Sequence, residues 1–294
     1  MIADCTVGGG FMRSRTVKRA AKYGFCSGVR IADLKVRRFA AAGGRGAVLG
    51  QLVHNERVVE DMERLGFPAV GDIENTSAPA IVFSAHGVPP SYHQRARAAG
   101  LEIVDTTCKF VYDIHHEAAR ALEEGCHLVF IGQREHREVI GYTRDLDPDT
   151  YHIVSRASDA ESVDWSCYAK IKIFFQTTLN ADDFEDVVRI IERRGGAVQR
   201  ADTICYATKQ NQDAARSLAR DPEVDLIVVI GGTSSANTRH LWEICRASKP
   251  SYLVQDADDL EDDWFRDAAV VGVTAGASTP DSVIDEVEAR IVEL

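Results

Sequence analysis

The sequence predicts an α/β protein made of three similar units. Three observations carry that prediction. Short apolar runs alternate with helical patterns along most of the 294 residues. Asp-Thr-x-Cys is written twice, as DTTC at 105–108 and DTIC at 202–205. Gly-Gln-x-x-His is also written twice, as GQLVH at 50–54 and GQREH at 132–136. Paired echoes at such spacing mark an internal repeat.

The apolar runs at 47–53, 80–84, 101–104, 127–132, 151–154, 171–175, 226–231 and 269–273 read as buried strands. Helical patterns lie between them, near 56–65, 90–99, 111–124, 181–194, 208–220, 236–247 and 280–293. The last opens on Pro280, a residue favoured in a first helical turn. Strand–helix alternation implies mostly parallel sheets. No low-complexity linker divides the chain, and its repeat suggests lobes at 17–108, 109–202 and 203–294 behind an N-terminal extension at 1–16.

The residues that follow each strand repeat in kind. In the first third they are His54, then His86 in SAHG, then Cys108 in DTTC. In the second they are His136 and Glu138 in GQREHRE, then Thr177 and Thr178, then Cys205 in DTIC. The last third gives Ser235 and Asn237, then Ser278 in TAGAS, and ends without a cysteine. The early GFCSG, with Cys26, could supply the missing member. Carboxyl ends of parallel strands are where open α/β sheets bind ligands. Three such lobes around a pseudo-threefold axis would point three cysteines at one centre.

Composition narrows the function classes. Formal net charge is −11, yet residues 1–50 hold ten Lys/Arg against Asp4 and Asp33. An acidic bulk argues against nucleic acid as the main partner. The basic front is a solvated face or a dock for an acidic protein. No run approaches the roughly 18 apolar residues of a membrane span. The first residues lack the apolar core of a secretory signal. The seven cysteines form no C-x-x-C pair, so a reducing cytoplasm is the expected compartment. Cys126, Cys167 and Cys245 read as small core residues.

Three convergent thiolates suggest a metal. One reading is zinc held by Cys3His. The sharper reading is an iron–sulfur cluster on three cysteines, with one iron left open for chemistry. Taken singly, each cysteine is as readily a buried structural residue; the repeated context weighs against that. The gathered His, Ser, Thr and Asn suit a phosphate at helix N-termini. With no obvious Lys or Arg nearby, imidazolium would be its charge partner.

The motifs GFCSGV, LVHNERVVEDM, VFSAHGV, DTTCKFV, GQREHREVIG, QTTLNADDF, DTICYATKQNQ, SSANTRHL and VGVTAGASTPD resemble, in order, the 4-hydroxy-3-methylbut-2-enyl diphosphate reductase family from about Val17 onward. The resemblance implies a three-lobed α/β trefoil around an oxygen-sensitive 4Fe-4S cluster. It implies reductive dehydroxylation of the allylic diphosphate to isopentenyl and dimethylallyl diphosphates, the last step of the methylerythritol phosphate route. Cys26, Cys108 and Cys205 would ligate the cluster. His54, His86, His136, Thr178, Ser235, Asn237 and Ser278 would bind the substrate. Glu138 and Thr177 would deliver protons. An acidic donor such as ferredoxin or flavodoxin would supply electrons.

The chain departs from the family pattern at four places. Arg137 stands where Pro is usual between His and Glu, and Lys109 where Pro is usual after the second Cys. Ala236 replaces a Ser, and Lys22-Tyr23 replaces Pro-Arg. These fall around the diphosphate and the rim. They leave open a paralogue acting on a different allylic substrate, or an iron–sulfur redox sensor.

Overall fold

Valine, isoleucine and phenylalanine runs too apolar for a half-exposed strand become strands covered on both faces. The computed structural model describes residues 15–294; residues 1–14, most of the expected extension with Cys5 and Arg13, lie outside the described residues. The chain begins with β1 (Thr16–Arg19) and α1 (Ser27–Ala41). Next come β2 (Ala47–Leu49), α2 (Glu56–Arg64), β3 (Ala69–Val70), β4 (Ala80–Phe83), α3 (Pro90–Ala98) and β5 (Glu102–Asp105). After α4 (Lys109–Glu123) follow β6 (His127–Ile131), α5 (Arg137–Thr143), β7 (Tyr151–Val154), α6 (Ala157–Glu161), β8 (Lys170–Phe175), α7 (Glu185–Arg194) and β9 (Ala197–Arg200). After α8 (Tyr206–Arg220) follow β10 (Leu226–Ile230), α9 (Ala236–Arg246), β11 (Ser251–Val254), β12 (Val270–Ala275) and α10 (Asp281–Glu293).

The strands form three four-stranded sheets, ordered β3-β2-β4-β5, β7-β6-β8-β9 and β11-β10-β12-β1. Every pairing is parallel. The three orders are one pattern: second strand, first, third, fourth. In the third sheet the fourth strand is β1, from the start of the chain, with Thr16 opposite Val270. The α/β class and three similar lobes are therefore observed, but β1, expected in a first lobe at 17–108, completes the third sheet.

Side chains alternate across each sheet, as the pleat requires. In the second sheet Val129, Ile131 and Ile173 join one core, while Leu128, Phe130 and Phe174 join another. The third divides likewise, with Val228 and Ile230 on one face and Ile227 and Val229 on the other. Covering both faces with helices is what a parallel sheet needs. Phe174 is fully buried, so truncation to Ala would cost about 3–5 kcal/mol.

One expectation fails here. Cys126 and Cys245 are buried, but Cys167 is exposed. It ends the short turn Trp165–Cys167, and Trp165 takes the buried slot.

Candidate active site

Each lobe ends its fourth strand near a cysteine, and each cysteine starts a helix. Cys26 is the N-cap of α1, Cys108 of α4 and Cys205 of α8. All three helices are 15 residues long, and none has an acidic residue in its first turn. The backbones repeat the equivalence. The N–H of Cys108 donates to Ala85 O at 3.0 Å, that of Cys205 to Thr177 O at 3.0 Å and that of Cys26 to Ala277 O at 3.1 Å. Each acceptor follows the third strand of its lobe. Cys26, so placed by β1, is the cysteine the third repeat lacks.

Three positive helix ends thus face one cavity without the carboxylates that usually accompany them. The Val29 N–H reaches Cys26 Sγ at 3.4 Å. Burial pushes the Cys26 and Cys108 thiols up, and the neighbouring thiols push them further. Bound metal would reverse that balance, since metal ligation deprotonates a thiol outright. Gly28 lets the helices meet: a Cβ there would lie 2.8 Å from Cys108 Sγ. Among the described residues, no three His, Cys, Asp or Glu side chains converge as ligands of a single ion.

The cavity that the cysteines line also receives every other residue expected at the site: His54, His86, His136, Glu138, Thr177, Thr178, Ser235, Asn237 and Ser278. Strand ends put them there. Asn55, His136 and Ser235 are the N-caps of α2, α5 and α9, each after the first strand of its lobe. The lobes are tied together at this point by Ser278 Oγ, which donates to His54 O at 3.0 Å. The apolar wall, from Val53, Phe110, Val111 and Ala207, was not anticipated. Only its proximity to Cys108 and Cys205 in sequence could have signalled part of it.

The imidazoles form a cluster. Ring centroids of His54 and His86 lie 4.4 Å apart, those of His54 and His136 5.5 Å, and those of His86 and His136 5.9 Å. Burial lowers all three, and like charge adds to it: His136 falls to about 4, and His86 well below the ordinary value. Burial thus disfavours the imidazolium form in the free protein, so the charge partner expected for a phosphate would have to form on binding. No Lys or Arg is among the residues that line the cavity, as expected, but one Arg stands close behind it. The Arg137 guanidinium lies against Gly50 and depresses both His54 and His86.

Several polar atoms here are buried without partners: His54 Nε2 and both amide atoms of Asn237. Buried polar groups are nearly always satisfied, so such orphans at one cavity fit a polar ligand. Glu138 is 2% exposed. Its Oε2 accepts the Thr177 N–H at 3.0 Å. Burial raises its pKa against the pull of Thr177.

The three-sheet α/β fold is shared with known proteins. The model of the LytB protein family matches residues 17–292. The chain belongs to the LytB family. It is 37% identical to 4-hydroxy-3-methylbut-2-enyl diphosphate reductase of Desulfotalea psychrophila, over 92% of this chain and 87% of that one. Identity to the Aquifex aeolicus enzyme of the same name is 34%, over 92% and 94%. The solved Plasmodium falciparum reductase superposes with a TM-score of 0.86 at 26% identity, covering 94% of this chain and 87% of that one. A second solved reductase, described as the terminal enzyme of the non-mevalonate pathway, gives 0.71 at 33% identity, covering 95% and 100%. Among the described residues, no LytB helix of this chain is long and apolar enough to cross a membrane.

Proposed function

We propose that this LytB protein reduces 4-hydroxy-3-methylbut-2-enyl diphosphate to isopentenyl and dimethylallyl diphosphate. The observation that carries the reading is the single cavity joining three cysteine-capped helices to Glu138 and the unpartnered Asn237 and His54. In the reaction the allylic C–O bond breaks and a C–H bond forms. Two electrons and two protons are taken up, and water leaves.

Cys26, Cys108 and Cys205 would hold a 4Fe-4S cluster. Three soft thiols at acid-free helix ends suit an anionic cluster. When bound, such a cluster supplies a Lewis-acidic iron and the electrons.

The protein supplies the rest. His54, His86, His136, Thr178, Ser235, Asn237 and Ser278 bind the diphosphate, with backbone N–H groups at the starts of α2, α5 and α9 beside them. Arg137 adds fixed positive charge at that end. Glu138, whose pKa burial raises, donates to the leaving hydroxyl so that water departs. The Thr177 N–H holds its carboxyl in place, and the Thr177 hydroxyl belongs to the same proton path. Val53, Phe110 and Val111 exclude water. The electrons come from an acidic carrier of ferredoxin or flavodoxin type, in a reducing cytoplasm.

A second reading draws on Ala236, which lines the cavity without a hydroxyl. It is reduction of a related allylic substrate. Anaerobic turnover with dithionite, alongside iron and sulfide analysis, tests the first reading. Formation of the two isoprenoid diphosphates by an iron- and sulfide-bearing protein is expected. Iron-loaded protein that leaves the diphosphate untouched would overturn it.

A further inference from the structure

Large apolar side chains are mostly buried in this protein, and the exceptions are not scattered. Of seven exposed ones among the described residues, five lie on the cysteine-capped helices: Ile31 and Leu34 on α1, Phe110 and Tyr112 on α4, and Tyr206 on α8. Tyr206, 65% exposed, directly follows Cys205. Exposed apolar groups gathered in one place mark an interaction surface.

These helices abut. Gly28 of α1 lies against Cys108 at the start of α4. Lys35 Nζ donates to Asp105 O at 3.0 Å, and the Tyr112 hydroxyl bonds the Asp105 carboxylate. Along α1 the residues Ile31, Leu34, Lys35 and Arg38 fall at i, i+3, i+4 and i+7, so apolar and basic groups share one stripe. Arg30 pairs with Asp281 and Arg37 with Asp33, which leaves Lys35 and Arg38 without acidic partners among the described residues. On α4, Asp113 is paired to Lys109 at 2.5 Å. The stripe is thus basic in a chain of net charge −11.

Three cations of β1 and its approach are committed elsewhere. Arg15 donates to Phe265 O at 2.9 Å, Lys18 pairs with Asp221 at 2.6 Å and Arg19 with Asp285 at 2.8 Å. They fasten β1 to the third lobe. Of the basic front expected as a solvated face or a dock, these three cations are therefore engaged within the third lobe.

We propose that the surface formed by the N-terminal turns of α4 and α8 and the Ile31–Arg38 stripe of α1 docks the electron carrier, a small acidic redox protein. The proposal rests on the reductase reading. The carrier would contact the helices whose caps are the three cysteines, which keeps the electron path short. Each docked carrier gives up one electron and is oxidised by one. Two encounters complete a turnover, and the protons come from the Glu138 side of the cavity.

The test uses the cluster-loaded protein and a purified acidic [2Fe–2S] ferredoxin. Binding is measured by calorimetry at low and high salt, and turnover with ferredoxin and separately with dithionite. The variants are Lys35→Glu with Arg38→Glu, Leu34→Ser alone, and Lys18→Glu with Arg19→Glu as the contrast. The α1 charge reversal should weaken ferredoxin binding roughly tenfold or more and flatten its salt dependence. Leu34→Ser should weaken it less, with salt dependence kept. Dithionite turnover should stay within about twofold in both, because a small reductant needs no docking face. Unchanged ferredoxin affinity in the α1 variants, or a loss confined to the Lys18 and Arg19 variant, would overturn the proposal. Absent dithionite turnover in the parent protein would strike the reductase reading instead, and calorimetry would still decide the docking face.

Discussion

The thiol ring and the polar rim share one cavity, yet only the ring keeps the same residue in all three lobes. Cys26, Cys108 and Cys205 occupy the same place in each lobe, down to the carbonyl that accepts their N–H. The rim repeats its positions after the strands but not its residue types. The first lobe places His54 and His86 there, and the second His136, Glu138 and Thr177. The third places Ser235, Asn237 and Ser278. A symmetric object needs equivalent ligands; an asymmetric substrate needs different groups at each end. The repeat has kept its backbone and one ligand, and has diversified where orientation and proton delivery are required.

The comparison breaks most sharply at the ring. If the three cysteines are equivalent, Cys26→Ser, Cys108→Ser and Cys205→Ser should each abolish activity and strip or degrade the cluster. The same change at exposed Cys167 should leave iron content unaltered. Iron and sulfide analysis of anaerobically purified protein reads this directly. Full iron retention in any one ring variant would remove that cysteine from the ligand set.

The rim should answer unequally, and Glu138 most strongly. Glu138→Gln keeps shape and the Thr177 contact but loses the acidic proton. Turnover should fall at least roughly 10²-fold, the low end of what a placed general acid supplies. The cluster should stay intact and substrate binding near normal. A variant turning over within a few-fold of the parent would move the acid role to Thr177 or a histidine.

Much of the ring was readable from residues alone, because DTTC and DTIC sit in matched contexts after apolar runs. The central strands were readable for the same reason: burial on both faces demands unbroken apolar runs. Four of the six edge strands were not, although β5 and β7, also at edges, were. β1 (TVKR) and β9 (AVQR) each have one hydrogen-bonded neighbour and face solvent, so polar residues are tolerated. Helix α1 was missed because its buried stripe of Ala32 and Val36 is blurred by exposed Ile31 and Leu34. Those off-face apolar residues belong to a surface, not to the core, and hydrophobic periodicity cannot distinguish the two. The direction of the Arg137 side chain was equally illegible, since residue order does not say where the first residue of a helix points.

Proton uptake sharpens the rim's character further. Burial holds His136 at about 4 in the free protein, with His54 and His86 lowered too. A bound diphosphate favours the charged form and raises these values. Between the free and bound values, binding takes up protons, so affinity should fall as pH rises through that window. The slope is at most about tenfold per pH unit for each proton taken up. Above the bound value it should level off. Calorimetry of inorganic diphosphate in buffers of different ionisation enthalpy counts the protons. No uptake at neutral pH would mean that Arg137 and backbone N–H groups carry the charge alone.

The smallest expected effect concerns Ala236, the first residue of α9 and part of the cavity wall. Its neighbour Ser235 is already engaged, since the Thr238 N–H donates to Ser235 Oγ at 3.3 Å. A hydroxyl at 236 would therefore be an added donor to the cavity, without loss of the helix cap. Serine in a first helical turn costs little helix stability. A hydrogen bond to a charged group contributes about 1.5–3 kcal/mol. Exposure of the new hydroxyl to competing water takes the low end, so Ala236→Ser should lower KM for the hydroxymethylbutenyl diphosphate roughly tenfold, about 1.4 kcal/mol. Turnover number should hardly change, because the contact is the same in the ground and transition states. A KM that rises instead would mean that the wall at Ala236 is shaped for a bulkier substrate than this diphosphate. The third lobe would then be the part of the rim that sets substrate choice, while the first two set charge and proton supply.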